Sequence, residues 1–380
     1  MVMPPLGLAY VSAMLKYHGV PVEILDLAKS PDTKLPDTDM FAVGSTTPQF
    51  FDAVEFKNRV RRERPEAKIC LAGPHATLNP KEALYNMFDS VIVGEGEHAI
   101  FKFIDGQSGV IRCPDEPDLD IFPFPDRSFM GEYNYRIGGL RATTMMTSRG
   151  CPYNCSFCCK SWGGVRYRTS RNVWIEAAQL KTMGYEAVQF YDDEFLVRPL
   201  RDLAIFSEMK RVGLIWRCFT RANLITQDLA EVMKTCGCHE VLLGVESGSN
   251  TILKAIRKGT TVAQNMQAIK LLHNAGIKVK AAMVVGLPSE TTTTLVETWT
   301  FCEEVEDLVD SWDFTIFTPY PGSDVFDNPD NYDIYFHPFA PYYPYKGGKW
   351  EANVWTTDLA SSEITAWRND FHTRFKGEIY

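Results

Sequence analysis

Arg141-Ala142-Thr143-Thr144-Met145-Met146-Thr147, then Ser148-Arg149-Gly150, then Cys151-Pro152-Tyr153-Asn154-Cys155-Ser156-Phe157-Cys158 is the stretch that decides how this chain is read. Its first seven residues suit a strand, and the glycine and proline that follow break the pattern into a loop. Three cysteines therefore stand in one loop beyond a strand end. Three thiolates at this spacing suit three irons of a cubane, which leaves the fourth iron without a protein ligand. Most clusters take four cysteines, so a loop of three implies a coordination position open to a small molecule. A zinc knuckle or unrelated thiols are the plain alternative. Cys159 falls outside the spacing and reads as a neighbour rather than a ligand.

Downstream, strand patterns recur at 187–191, 214–220, 240–243, 278–285 and 312–318, with helical patterns between them, as at 173–183 and 263–275. With 141–147 they make six βα units, the pattern of a partial parallel barrel open on one side. Upstream, a helix is expected over 8–17, ending at Gly19, and another over about 50–64, stopped by Pro65. Strands are expected at 22–27, 40–44, 68–72 and 90–93. Short strands alternating with helices imply a parallel sheet covered on both faces, a Rossmann-like arrangement whose ligands sit beyond the carboxyl ends of the strands. The loops there, Ser45-Thr46-Thr47-Pro48, Gly73-Pro74-His75 and Gly94-Glu95-Gly96-Glu97, let backbone approach a ligand closely. A strand should also precede Pro4-Pro5, but only Met1-Val2-Met3 is present: a stub, or a natural start further upstream.

The expected organisation is thus a Rossmann-like domain (1–112), an acidic, proline-rich linker (113–138), the barrel (139–322) and a C-terminal extension (323–380). The extension carries Tyr335, Phe336, His337, Phe339, Tyr342, Tyr343, Tyr345, Trp350 and Trp355 among prolines. It reads as a lid over the open side of the barrel or as core packing.

Composition narrows the function class. A formal charge of −9 argues against a dedicated nucleic-acid binder. No apolar run approaches a membrane span and no signal peptide is visible. The cysteines cluster instead of spreading as a disulfide framework, which favours metal or redox chemistry in a reducing cytoplasm.

The cysteine loop resembles the C-x3-C-x2-C signature of the radical S-adenosylmethionine (SAM) superfamily, down to Phe157 before the third cysteine. The resemblance implies that Cys151, Cys155 and Cys158 hold a 4Fe–4S cluster whose open iron binds the amino and carboxylate groups of SAM. An electron from an external donor then cleaves SAM to methionine and a 5′-deoxyadenosyl radical. It extends along the barrel: Tyr191-Asp192-Asp193-Glu194-Phe195 stands where the family meets the SAM amino group, with an exposed acidic turn as the alternative. Gly244-Val245-Glu246-Ser247-Gly248 looks like the ribose- and methionine-binding turn. Arg221 suits the SAM carboxylate, or is a solvated surface arginine. Val284-Val285-Gly286-Leu287-Pro288 resembles the segment that packs on adenine.

Pro4-Pro5-Leu6-Gly7-Leu8-Ala9-Tyr10, Gly73-Pro74-His75-Ala76-Thr77 and Gly94-Glu95-Gly96-Glu97 resemble the cobalamin-binding subgroup of the same superfamily. By that resemblance Leu6, Gly7, Ser45, Thr46, Gln49, Gly73, His75, Gly94, Glu95 and Gly96 surround cobalamin, with Thr47-Pro48-Gln49-Phe50 on the lower side of cobalt. The Asp-x-His-x-x-Gly pattern that supplies a lower histidine is absent. His75 then lines the nucleotide-tail pocket, or is a core or capping histidine; a degenerate cap that binds nothing is the alternative for the whole domain. The implied activity is a cobalamin-dependent methyltransferase that passes a methyl group from SAM through methylcobalamin to an unactivated carbon. Compact members of the subgroup include enzymes that C-methylate residues of folded proteins, such as the glutamine C-methyltransferase of methyl-coenzyme M reductase. Rivals are a cobalamin-binding cyclase or rearrangement enzyme, a methylthiotransferase, and a non-catalytic carrier. A methylthiotransferase needs three N-terminal cysteines for a second cluster, and residues 1–138 hold only Cys70 and Cys113.

Overall fold

The computed structural model describes residues 4–27, 33–129, 133–161, 163–337, 342, 344–346 and 349–377. The expected stub at Met1–Met3, and Phe339 and Tyr343 of the tail, lie outside them. The chain divides into two compact units.

One unit comprises Pro4–Tyr133 with Lys160–Arg166. Its sheet is fully parallel, with strands β1 (Met40–Gly44), β2 (Lys68–Ala72), β3 (Ser90–Val93) and β4 (Gly109–Arg112) side by side in chain order. The last was not expected from the sequence. Helices α1 (Leu6–Tyr17), α2 (Phe50–Glu63), α3 (Pro74–Leu78), α4 (Pro80–Tyr85) and α5 (Gly96–Ile104) complete it. The buried strands β2 and β3 read as apolar runs because both of their faces are covered.

Residues 22–27 do not form the expected strand. Val20 and Val22 do pack against the core around Ile92, Ile100 and Phe103, so the alternation is satisfied by burial, but the segment has no ladder partner in the four-stranded sheet. Tyr133 donates its hydroxyl to Asp26 there. In the acidic segment beyond β4, Asp126 accepts from Ser12 Oγ and Lys16 Nζ, both at 2.7 Å, which ties that segment to α1.

The other unit comprises Asn134–Cys159 and the chain from Tyr167 onward. Its sheet runs β11 (Ser311–Ile316), β10 (Lys278–Val285), β9 (Cys238–Glu246), β8 (Ile215–Thr220), β7 (Ala187–Phe190), β6 (Leu140–Met145), β5 (Arg136–Ile137). Six strands are parallel and only β5 turns back against β6. This is the expected open (βα)6 half-barrel.

Outward-facing Phe190, Trp216, Val241, Val279 and Met283 join the core under helices α6 (Ser170–Thr182), α7 (Pro199–Val212), α8 (Gln227–Thr235), α9 (Asn250–Ala255), α10 (Val262–Asn274) and α11 (Thr292–Val305). Threonine N-caps start several of them: Thr169, Thr226, Thr261 and Thr291 each accept a backbone N–H from the first turn. The tail contributes the helix Ser361–Arg374, whose Phe371 stacks on Phe314 of β11. Phe336 and Trp350 also pack on the barrel core, and Tyr335 stacks on Trp355. The described tail aromatics therefore include core-packing residues.

Candidate functional site

The three cysteines follow β6 at the carboxyl edge of the half-barrel, where the loops after β7, β8, β9 and β10 also emerge. Asp192 braces that edge. It is buried and accepts from Thr147 N at 2.7 Å, Thr147 Oγ1 at 2.5 Å and Ser148 Oγ at 2.7 Å. Burial pushes its carboxyl upward against these hydrogen bonds. Asp193 accepts from the N–H of Gly150, one residue before Cys151, at 2.9 Å. Both acids thus fix the entry to the cysteine loop. Glu194, also buried, takes Thr220 Oγ1 at 2.6 Å.

Inside the loop, Arg221 places Nη1 3.2 Å from Cys155 Sγ and lies over the ring of Tyr153 at 3.9 Å. It is buried, so the solvated-arginine alternative is not what the structure shows. Cys158 is pushed up to about 11 by desolvation and then by the neighbouring thiols of Cys155 and Cys151, although part of the residue is open to solvent. Burial raises Cys151 too, with Glu194 and Asp193 adding to it. Thiols that raise one another in this way need a compensating cation to ionise together.

Among the described residues no group of three His, Cys, Asp or Glu is gathered closely enough for one metal ion. A cubane makes a different demand, because each thiolate takes its own iron. The convergence of Cys151, Cys155 and Cys158 with an arginine alongside fits that demand. Cys159 turns away: its Sγ faces Tyr320 O at 3.6 Å.

Glu246 ends β9 at a bulge in the ladder to β10, with φ of +67°. Its carboxylate pairs with Lys258 Nζ at 2.7 Å, both side chains nearly buried. Gly244 makes room for this pair: a Cβ there would lie 2.8 Å from Glu246 Oε1 and from Lys258 Nζ. Lys258 was not singled out from the sequence, because the pairing spans twelve residues and depends on the bulge. Ser247 is wholly buried and shares a hydrogen bond with Thr298 Oγ1 of α11 at 3.1 Å.

Gly286, at φ +86°, follows β10 and donates its N–H to the buried Glu290 at 2.5 Å. Burial lifts Glu290 to about 8. A Cβ on Gly286 would meet Ile364 at 2.9 Å, so the tail closes against this turn. Phe157 packs against the barrel core.

In the N-terminal unit the loops after β1 and β2 touch. A Cβ on Gly73 would lie 2.8 Å from Ser45 O, and His75 N donates to that same carbonyl at 3.2 Å. His75 is wholly buried, stacked 3.9 Å from Phe50, with Nδ1 3.4 Å from Thr47 Oγ1. Desolvation lowers it to about 4, so it is neutral at pH 7. Thr46 Oγ1 donates to Gln49 at 2.9 Å. Thr77 Oγ1 accepts from Gly94 N at 3.1 Å, linking the β2 and β3 loops. Glu95 is buried, pairing with Arg166 at 3.0 Å and accepting from Glu116 N. Leu6 is buried at the start of α1, and a Cβ on Gly7 would point into open space. A Cβ on Gly96 would lie 3.1 Å from Val11 of α1.

Family models match both units: a radical SAM superfamily model over residues 145–302 and a B12 binding domain model over residues 1–103. An uncharacterized methyltransferase of Pyrococcus horikoshii is 30% identical over 84% of this chain and 77% of its own length. The anaerobic magnesium-protoporphyrin IX monomethyl ester cyclase of Rubrivivax gelatinosus is 27% identical over 85% of this chain, which spans 66% of that protein. The solved structure of the radical SAM methyltransferase TsrM from Kitasatospora setae superposes with a TM-score of 0.69 at 17% identity. That likeness covers 86% of this chain and 72% of TsrM, and it shows the shared fold.

Proposed function

The chain belongs to the radical SAM superfamily and carries a B12-binding domain, and from that premise we propose that it is a methyltransferase acting on an unactivated carbon of a polar substrate. Membership brings a 4Fe–4S cluster, SAM and cobalamin as cofactors. When bound, the cluster and SAM supply a hydrogen-abstracting radical and cobalamin carries the methyl group; the protein's part is binding, orientation and exclusion of water.

In this reading Cys151, Cys155 and Cys158 hold the cluster and Arg221 offsets their negative charge. Asp193, Glu246 and the turns at Ser247 and Gly286 surround SAM, while Asp192 keeps the loop in place. Leu6, Gly7, Ser45, Thr46, Gln49, Gly73, Gly94, Glu95 and Gly96 form the corrinoid's surroundings, and His75 supports them from the core.

The observation that carries methyl transfer is the treatment of histidine in the N-terminal unit. His75 is buried and stacked on Phe50, His98 turns to Glu116 and Phe122, and His18 lies against Phe101. Among these described residues only His75 stands at the loops beyond β1 and β2, and its neutral ring is wholly buried against Phe50 and Thr47; a corrinoid bound there would then find no free imidazole, which favours a role as methyl carrier.

The barrel wall bears on the class of substrate. Side chains alternate along each strand, and Trp216, Val279, Met283 and Trp312 belong to the helix-side core. The opposite face is mixed: Gln189, Arg217, Glu240, Lys280 and Asp313 lie along it together with Phe219, Leu242, Ala282 and Val284 nearer the carboxyl ends. Arg217 there donates to Gln189 Oε1 at 2.8 Å, to Glu240 at 2.8 Å and to the Tyr135 hydroxyl at 2.6 Å. A hydrogen-bonding substrate such as a protein side chain, glutamine included, suits this wall.

Turnover of a peptide library by the reconstituted full chain with trideuteriomethyl SAM tests the reading. The expected product carries all three deuteriums, with S-adenosylhomocysteine and 5′-deoxyadenosine formed in equal amounts. The Rubrivivax relative favours a second reading, a cyclisation without methyl transfer. 5′-Deoxyadenosine without matching S-adenosylhomocysteine would establish that one instead.

A further inference from the structure

The cysteine loop is gripped from both sides by segments distant in sequence. Ser156, wholly buried between Cys155 and Phe157, donates its N–H to Ile256 O at 2.9 Å and accepts on its carbonyl from Val325 N at 3.1 Å. Its two flanks are the turn after α9 and the segment that follows Pro321-Gly322.

The residues adjoining those two contacts are tied to each other. Arg257, next to Ile256, pairs with Asp324, next to Val325. Tyr332 donates its hydroxyl to Asp324 Oδ2 at 2.5 Å and stands 2.6 Å from Arg257 Nη2. Asn328 donates to the other Asp324 oxygen at 2.7 Å. Arg257 has φ of +53°, a region that a residue with a Cβ enters unfavourably. That turn lets its backbone neighbour serve the cysteine loop while its side chain reaches Asp324.

We propose that Arg257, Asp324 and Tyr332 form a latch that positions the cysteine loop and retains its cluster, by holding together the two segments that grip Ser156. The proposal rests on the assignment of the cluster to Cys151, Cys155 and Cys158. These are positioning residues: they act through Ile256, Val325 and Ser156. If the latch opens, both flanks can part and the loop between Cys155 and Cys158 loses two backbone hydrogen bonds at once. The latch is half-exposed, so its loss should change an equilibrium or rate by about fivefold at most.

The test is the rate at which the reconstituted full chain releases iron to a chelator, followed optically under anaerobic conditions, alongside the melting temperature. Arg257→Met and Asp324→Asn should each speed release about fivefold. Tyr332→Phe should give a smaller rise and Arg257→Lys a partial rescue. Arg374→Ala removes another half-exposed ion pair of the same unit, Arg374–Glu306 at 2.8 Å, and is the control for general loosening.

Faster release in the latch variants but not in Arg374→Ala supports the proposal. Unchanged release, or an equal rise in Arg374→Ala, overturns it. Wild-type protein that assembles no cluster would remove the cluster assignment itself, an outcome visible before any variant is compared.

Discussion

Glu290 offers a quantitative handle on the turn proposed to meet adenine. Its carboxyl is fully buried, receives the Gly286 N–H and is lifted to about 8, above the ordinary 4.5, chiefly by desolvation. The folded chain therefore keeps a proton there that the unfolded chain gives up. Between those two values the folded state binds one more proton, so stability falls as pH rises, by about 1.4 kcal/mol per pH unit. The contribution is fully present below about pH 4.5 and lost as pH rises towards 8.

Glu290→Gln removes the titration while keeping an oxygen to accept from Gly286. Its extra N–H pair makes the variant less stable at pH 5, by about 1–3 kcal/mol. From pH 5 to pH 7.5 the wild type should lose about 3 kcal/mol relative to the variant, closing or reversing that gap. Urea unfolding at several pH values measures it, and taking the difference between the two proteins cancels other buried acids such as Asp202, itself lifted to about 6. A gap that stays constant from pH 5 to pH 7.5 would refute the reasoning, since it would mean that Glu290 titrates alike in both states.

Replacing Cys151, Cys155 or Cys158 with Ala should abolish the brown cluster absorbance and SAM cleavage, whereas Cys159→Ala should retain both; optical spectra after anaerobic reconstitution decide this. Lys258→Met leaves Glu246 charged and unpaired in a nearly buried position, so thermal unfolding should report a loss of about 3–5 kcal/mol, with part regained in Lys258→Met/Glu246→Gln. Gly248→Ala puts a Cβ 2.5 Å from Phe301 Cβ and 2.7 Å from Thr298 Cα. The overlap should destabilise by about 1–3 kcal/mol and weaken SAM binding in calorimetry by shifting the β9 turn.

Much of the fold was legible because periodicity is a local property. The strands β1, β2, β3 and β10 fall where their apolar runs and flanking turns place them. The cysteine loop was legible because ligand spacing is written in consecutive residues. The strand expected at 22–27 failed because alternation reports burial, and a strand also needs a neighbour to pair with, which no local pattern records. β4 was missed for the converse reason: Gly109-Val110-Ile111-Arg112 is short and weakly patterned, and pairing with β3 makes it a strand.

The sequence by itself determined the chemistry on offer: three thiols in one loop, glycine turns at strand ends, and no histidine in the usual cobalamin pattern. Only the tertiary structure decided which side chains share a charge. Glu246 meets Lys258 through a bulge, Arg221 leaves solvent to stand beside Cys155, and Asp324 finds Arg257 across sixty-seven residues. Such pairs are set by where the barrel brings strand ends together, and burial then makes each charge depend on its partner.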